Sequence, residues 1–213
     1  MSRHVLILGA GGQIARHVIA DLAGDDRIQQ TLLLRDAARL HGRTPANARV
    51  VEADVLDAAA LGAAMTGQDL VYANLTGDDI DQQASAIIAA MRIAGVERLI
   101  FVTSLGIHDE LPGRFQQWNE AMIGEDLKPF RRAADDIAAS GLAYTILQPA
   151  WLTDADEVDY ETTRRDETFK GTEVSRRSVA ALITRIIAQP DLHLHADLGI
   201  NKPGTDGDKP SFY

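Results

Sequence analysis

The stretch His4-Val5-Leu6-Ile7-Leu8-Gly9-Ala10-Gly11-Gly12-Gln13-Ile14-Ala15-Arg16 decides how the rest of the chain is read. Val5–Leu8 is an uninterrupted apolar run, the pattern of a strand buried on both faces. Gly9, Gly11 and Gly12 then make a turn, and Gln13 and Ile14 open a helix whose apolar spacing runs on to Leu22. A strand that ends in a glycine-rich turn and enters a helix lets the backbone approach a diphosphate closely. The helix start adds unpaired N–H groups and partial positive charge. The spacing is Gly9-x-x-Gly12-x-x-Ala15, with Ile14 where the commonest fingerprint has its last glycine. In this setting it predicts a dinucleotide held at Gly9, Gly11, Gly12, Gln13 and Ile14.

Outward from this unit the pattern repeats. Thr31–Leu34, Arg49–Glu52, Asp69–Ala73, Arg98–Thr103 and Ala143–Leu147 read as further strands. Between them lie a short helix capped by Asp57, a longer one over Ile80–Ala94 closed by Gly95, and one over Ala121–Ser140 stopped by Gly141. Gly24 is the expected cap of the first helix. Six strands alternating with helices predict an α/β fold, a three-layer, doubly wound Rossmann-type sheet, mostly parallel, of about six to seven strands. Beyond Pro149 the periodicity weakens. Asp154–Lys170 is polar and charged, Ser175 caps a last helix over Val179–Ala188, His195–Ile200 is a short strand and Asn201–Tyr213 a loop. No repeat or linker divides the chain. A single NAD(P)-binding domain over 1–213 is expected, with a small substrate-side region from about 105–120 and 149–175.

The 213 residues carry 31 Asp and Glu against 21 Lys and Arg, a net charge of −10. Nucleic-acid binding and adsorption to an anionic membrane both call for a basic surface, so neither partner is expected. With no cysteine, thiol catalysis, disulfides and Cys-based metal sites are excluded. His193-x-His195 has no placed carboxylate and reads as a solvated strand, so no metal site is expected. No apolar run reaches the ~18 residues of a membrane span and no leader precedes the first strand, which makes a cytoplasmic location the default.

The second strand ends Leu33-Leu34-Arg35-Asp36. An acidic residue here grips a free ribose 2′-hydroxyl, whereas a guanidinium holds a 2′-phosphate. Arg35, with Arg16 and Arg39 adding to the patch, favours NADP(H) over NAD(H), and Asp36 offers the competing contact.

The pieces GAGGQIA (9–15), LLLRD (32–36), EADVLD (52–57), VYANLTG (71–77), RLIFVTSLGI (98–107) and SGLAYTILQPAWLT (140–153) together resemble the NAD(P)H-binding, NmrA-like group of atypical short-chain dehydrogenases/reductases. The resemblance covers nearly the whole chain. It implies Asp54 and Val55 at the adenine ring, and Asn74, Leu75 and Thr76 beside the cofactor. It also implies Thr103 and Ser104 near the nicotinamide, with Pro149, Ala150 and Trp151 covering its side. All of these fall at carboxyl ends of strands, where ligands of such sheets sit.

Relatives with the usual chemistry carry Tyr-x-x-x-Lys on the helix after the fifth strand, the Lys lowering the Tyr pKa and the Tyr protonating a carbonyl oxygen. No Tyr here has a Lys four residues on. That helix holds Lys128, Arg131 and Arg132. By the resemblance, Arg131 falls where relatives often carry Lys, and it can hold an oxyanion but not give a proton. Ser104 is a candidate donor to a substrate carbonyl, or else only ends a strand. His108 is a candidate acid, or else a surface-loop residue. Gly106–Asn119 reads as a long loop at the functional edge, where Phe115 and Trp118 either stack on a flat ring or pack locally.

The expectation is an NADPH-binding oxidoreductase that passes hydride to a small carbonyl, quinone or flavin-like acceptor without a Tyr–Lys pair, because such rings accept charge themselves. The alternative is a non-catalytic NADP(H)-binding redox sensor acting through a protein partner. Sugar-nucleotide epimerisation is disfavoured, since it normally depends on the missing pair and on a larger substrate domain. The expected partners are a small, planar molecule and at most a second copy of the chain, giving a monomer or homodimer.

Overall fold

Strand alternates with helix from the first residues of the computed structural model, which describes residues 2–213. The order is β1 (Arg3–Leu8), α1 (Gln13–Leu22), β2 (Ile28–Leu34), β3 (Ala48–Glu52), α2 (Ala58–Met65), β4 (Leu70–Ala73), α3 (Ile80–Ala94), β5 (Arg98–Val102), α4 (Gly113–Ala139) and β6 (Ala143–Pro149). A short 3-10 helix, Ala37–Leu40, links β2 to β3. The remainder is β7 (Trp151–Thr153), β8 (Glu161–Arg164), β9 (Glu173–Ser175), α5 (Arg176–Ala188) and β10 (Ala196–Asn201).

The main sheet runs β3-β2-β1-β4-β5-β6-β10-β8, and β7 pairs with β9 as a separate ribbon. Every pairing in the main sheet is parallel except that of β10 with β8. Val5, Leu6, Ile7 and Leu8 are fully buried because each face of β1 is covered. Val5 and Ile7 pack in the layer of α1 and α5, while Leu6 and Leu8 pack in the layer of α2, α3 and α4. The crossovers reverse direction between β1 and β4, which opens a crevice at the carboxyl edge of the sheet.

Several local signals act as read. Asp57 accepts hydrogen bonds from the Ala59 and Ala60 N–H groups at the start of α2, and Ser175 accepts one from Ser178 at the start of α5. Gly95 and Gly141 take left-handed conformations behind α3 and α4.

Other expectations need correction. The main sheet has eight strands, not six or seven. The added strand, β8, is Glu-Thr-Thr-Arg, and only Thr163 of it is buried, so it carries no apolar run to announce it. α4 begins at Gly113, eight residues before the expected start. Pro112, extended, provides its cap position, and Phe115 and Asn119 are buried one turn apart, so most of the supposed long loop is helix. The first helix ends at Leu22 with a still right-handed Ala23 as its cap, and not Gly24. His193 and His195 occupy left-handed positions in the turn before β10 and not a strand. Among the described residues no helix is long and apolar enough to cross a membrane.

Candidate functional site

The glycine turn is closed by three backbone hydrogen bonds. Gly9 and Ala10 both donate to the Leu33 carbonyl, at 3.0 and 3.2 Å, and Gly12 donates to Gly9 at 2.9 Å. Asn74, which follows β4, is tied to the end of β1 through its N–H and the Leu8 carbonyl at 2.9 Å. Gly9 has φ +73°, and a Cβ there would overlap the Asn74 carbonyl. One at Gly12 would overlap the Asn74 carboxamide. No side chain caps α1 at Gly12, so the uncapped first turn of a ten-residue helix faces the crevice with its partial positive charge.

The crevice holds about 950 Å3 and is lined along its middle by Gly9, Gly11, Gly12, Gln13 and Ile14 on one side and Asn74, Leu75 and Thr76 on the other. That size suits a small-molecule ligand. At the β2 end it is lined by Arg35, Asp36, Arg39, Asp54 and Val55. Asp36 is extended and accepts the Ala38 N–H at 2.9 Å, capping the short helix. Asp54 accepts the Leu56 N–H at 2.9 Å. Among the described residues, neither Arg35 nor Arg39 has an ion-pair or side-chain hydrogen-bond partner. Arg16 does not line the crevice.

At the β5–β6 end the lining includes Thr103, Ser104, Leu152 and Arg176. The Thr103 hydroxyl donates to the Leu147 carbonyl at 3.2 Å. The Ser104 hydroxyl has no protein partner among the described residues. α4 contributes Ile123, Asp126, Leu127 and Phe130, one face at spacings of three and four residues. Arg176 donates to Asp154 at 2.9 Å.

The other anticipated residues lie off the crevice. Lys128 is an exposed residue that pairs with Glu125 one turn back on α4, at 2.7 Å. Arg131 is held by Asp109 at 3.0 Å. The His108 side chain is buried, its Nε2 at 2.8 Å from Asp197 on β10, and Asp197 also accepts from the Gln148 amide. This places His108 in a polar seam behind the site, not in it. Pro149 and Ala150 are buried, and Ala150 donates to the Ile200 carbonyl. The Trp151 indole donates to Asn119 at 2.9 Å and packs on Trp118 and Tyr213, with ring centroids 4.9 and 5.1 Å away. Phe115 and Trp118 likewise stack on each other at 6.1 Å. Strand alternation turns Leu152, not Trp151, toward the crevice.

Asp78, Asp79, Asp126, Phe130, Leu152 and Arg176 line the crevice without having been singled out from the sequence. The spacing of Ile123, Leu127 and Phe130 was a usable signal once the helix face was known. Leu152 and Arg176 come together through the β7–β9 pairing, which nothing local encodes.

The family model described as NAD(P)H-binding matches residues 9–190. The chain belongs to the NAD(P)H-binding family. It is an atypical short-chain dehydrogenase/reductase of the NmrA-like group, with the oxidoreductase character of that group. The structure of a Rossmann-fold NAD(P)-binding family protein from Shigella flexneri is 59% identical, covers 100% of both chains and superposes with a TM-score of 0.88. A short-chain dehydrogenase/reductase from Veillonella parvula, solved in complex with NADP, is 28% identical over 100% of both chains, with a TM-score of 0.90. An NAD(P)H azoreductase from Xenophilus azovorans is 26% identical over 150 residues, 70% of this chain. The match spans 48% of that enzyme, about half its length.

Proposed function

We propose that the chain is an NADPH-dependent reductase of a small planar acceptor, a quinone, flavin or related carbonyl, working without a Tyr–Lys pair. The observation that carries the reading is the inventory of the crevice. Unpaired guanidinium groups stand at its β2 end, a free serine hydroxyl and the Ile123, Leu127 and Phe130 side of α4 stand at its β5–β6 end, and among the described residues no Tyr, Lys, His or Cys lines it.

The residues present fit the cofactor. Gly9–Ile14 and the start of α1 would hold its diphosphate, Arg35 with Arg39 its 2′-phosphate, and Asp54 with Val55 its adenine. Asn74, Leu75 and Thr76 would stand beside its sugar, with Thr103 and Ser104 nearer the nicotinamide. NADPH supplies a hydride when bound. Ser104 donates a hydrogen bond to the acceptor oxygen, and Ile123, Leu127 and Phe130 exclude water from one side of a flat ring. Among the described residues no Tyr, Lys, His or Cys lines the crevice, and in this reading the proton is taken from water. An isolated carbonyl is poorly served by such a site, whereas a quinone or flavin spreads the incoming charge over its ring. The azoreductase relative, named for a conjugated acceptor, agrees with this class. Of segments 105–120 and 149–175 only Leu152 lines the crevice among the described residues, and Lys128, Arg131 and His108 take no part in the chemistry.

The test is a paired titration of NADPH and NADH, followed by NADPH oxidation with a quinone and a flavin. NADPH binds more tightly than NADH, and Arg35→Ala weakens NADPH by about tenfold or more, the worth of one charge-assisted contact, with little effect on NADH. Equal loss for both cofactors removes Arg35 from the 2′-phosphate. Tight binding with no turnover leaves the non-catalytic NADP(H) sensor as the reading.

A further inference from the structure

We propose that Arg176 recognises an anionic group, a carboxylate, phosphate or sulfonate, carried by the acceptor. The inference rests on the NADPH reading and names the substrate class of the same site. Three guanidinium groups line the crevice, those of Arg35, Arg39 and Arg176. The first two stand at the end of β2 and account for a 2′-phosphate, and the start of α1 accounts for a diphosphate. Arg176 is the charge left over. It belongs to the far end of the crevice, with Leu152 beyond β6.

Its setting is built. Ser175, immediately before it, is 1% exposed. The Ser175 hydroxyl accepts from Ser178 and donates to the Glu157 carbonyl at 2.8 Å, which fixes the backbone from which Arg176 projects. The Arg176 side chain is 19% exposed, while its partner Asp154 is 82% exposed. The Arg176 side chain is therefore largely enclosed while the carboxylate faces water. One guanidinium nitrogen meets Asp154, and the remaining donors of the fork have no protein partner among the described residues. A pair with one member in solvent is weak. A planar acceptor anion that engages the free edge of the fork joins or displaces Asp154 at little cost.

The rest of the site gives this anion one orientation. Asp78, Asp79 and Asp126 lie on the α3–α4 side, and α5, which Arg176 begins, packs on the opposite face of the sheet. Carboxylates on one wall repel the anion and the guanidinium on the other attracts it. The flat ring is then left toward Ser104 and the apolar face of α4.

Riboflavin and FMN share one ring system and differ by a phosphate, so they read this contact directly. NADP+ binding to the full chain is titrated first. Each flavin is then titrated against the NADP+-saturated protein by flavin fluorescence, which requires no turnover. FMN binds about tenfold more tightly than riboflavin, the scale of one charge-assisted pair. Arg176→Gln closes that gap by weakening FMN, Arg176→Lys restores part of it, and Asp154→Asn widens it. Equal affinity of the two flavins in the unaltered protein overturns the proposal. So does an Arg176→Gln variant that loses NADP+ affinity, since the guanidinium then belongs to the cofactor. If NADPH reduces neither flavin but the FMN preference and its loss in Arg176→Gln persist, the reductase reading falls and the anion subsite stands. If NADP+ does not bind, the same flavin comparison on the free chain decides the subsite.

Discussion

Arg35 and Asp36 are neighbours at the end of β2 with opposite fates. Asp36 is spent on the backbone, accepting the Ala38 N–H of the short helix, while Arg35 is left free on the lining of the crevice. Asp36→Ala is therefore expected to cost about 1 kcal/mol of stability through the lost cap, read by denaturant unfolding, and to leave the ratio of NADPH to NADH affinity unchanged. A collapse of NADH binding in that variant would return the ribose contact to Asp36. Ser104→Ala is expected to lower kcat about tenfold, one hydrogen bond to the acceptor, with the Kd for NADPH unchanged. Loss of NADPH affinity instead would make Ser104 a cofactor contact. The sequence made these residues readable because each follows a strand end. It also singled out Lys128, Arg131 and His108, none of which lines the crevice, because residue type alone does not say which way a side chain faces. Lys128 shares the solvent face of α4 with Glu125, and His108 is claimed by Asp197, a residue 89 positions away.

At the scale of elements, α3 and α4 wall one side of the site and are fastened to one another next to it. Arg132 on α4 donates to Asp81 on α3 at 2.7 Å, and the guanidinium holds the Asp81 carboxyl below its ordinary value of 3.8. A depressed carboxylate contributes stability that is present above pH 3.8 and lost as pH falls through its lower folded value. Asp81→Asn should thus be less stable than the parent at pH 7, by up to about 1 kcal/mol for so exposed a pair. The gap should narrow in urea unfolding as pH falls below 3.8. An unchanged gap there would mean that Asp81 acts through packing. The helices themselves were legible from caps such as Asp57 and Ser175. The first two turns of α4 were not, because Pro112-Gly113 reads locally as a loop while the aromatic contacts of Trp118 that hold those turns come from Trp151 and Tyr213. β8 was hidden for a related reason: an edge strand with one buried side chain needs its partner β10 to exist.

Across the whole molecule, binding and stability are divided between the two edges of the sheet. The carboxyl edge carries the crevice, with its free Arg35, Arg39 and Ser104. The amino edge carries Arg98, the first residue of β5 and 6% exposed. Its guanidinium donates to the carbonyls of Pro190, Ala143 and Leu192 at 2.7, 2.9 and 3.1 Å and to the Thr145 hydroxyl at 2.7 Å. It thereby joins β5 and β6 to the turn that leads into β10. Burial pulls Arg98 down to about 10, which still leaves it charged at neutral pH. Removing it strands several carbonyls, each costing about 1–3 kcal/mol when buried without a donor. Arg98→Ala is therefore expected to lose about 3 kcal/mol or more in denaturant unfolding. Hydrogen exchange should rise first in β10 and β8, the strands that depend on that turn. Because the damage is confined to the amino edge, NADPH affinity measured on the folded fraction should match the parent. A variant of normal stability that binds NADPH poorly would contradict this division, since it would require the two edges to be coupled through the sheet.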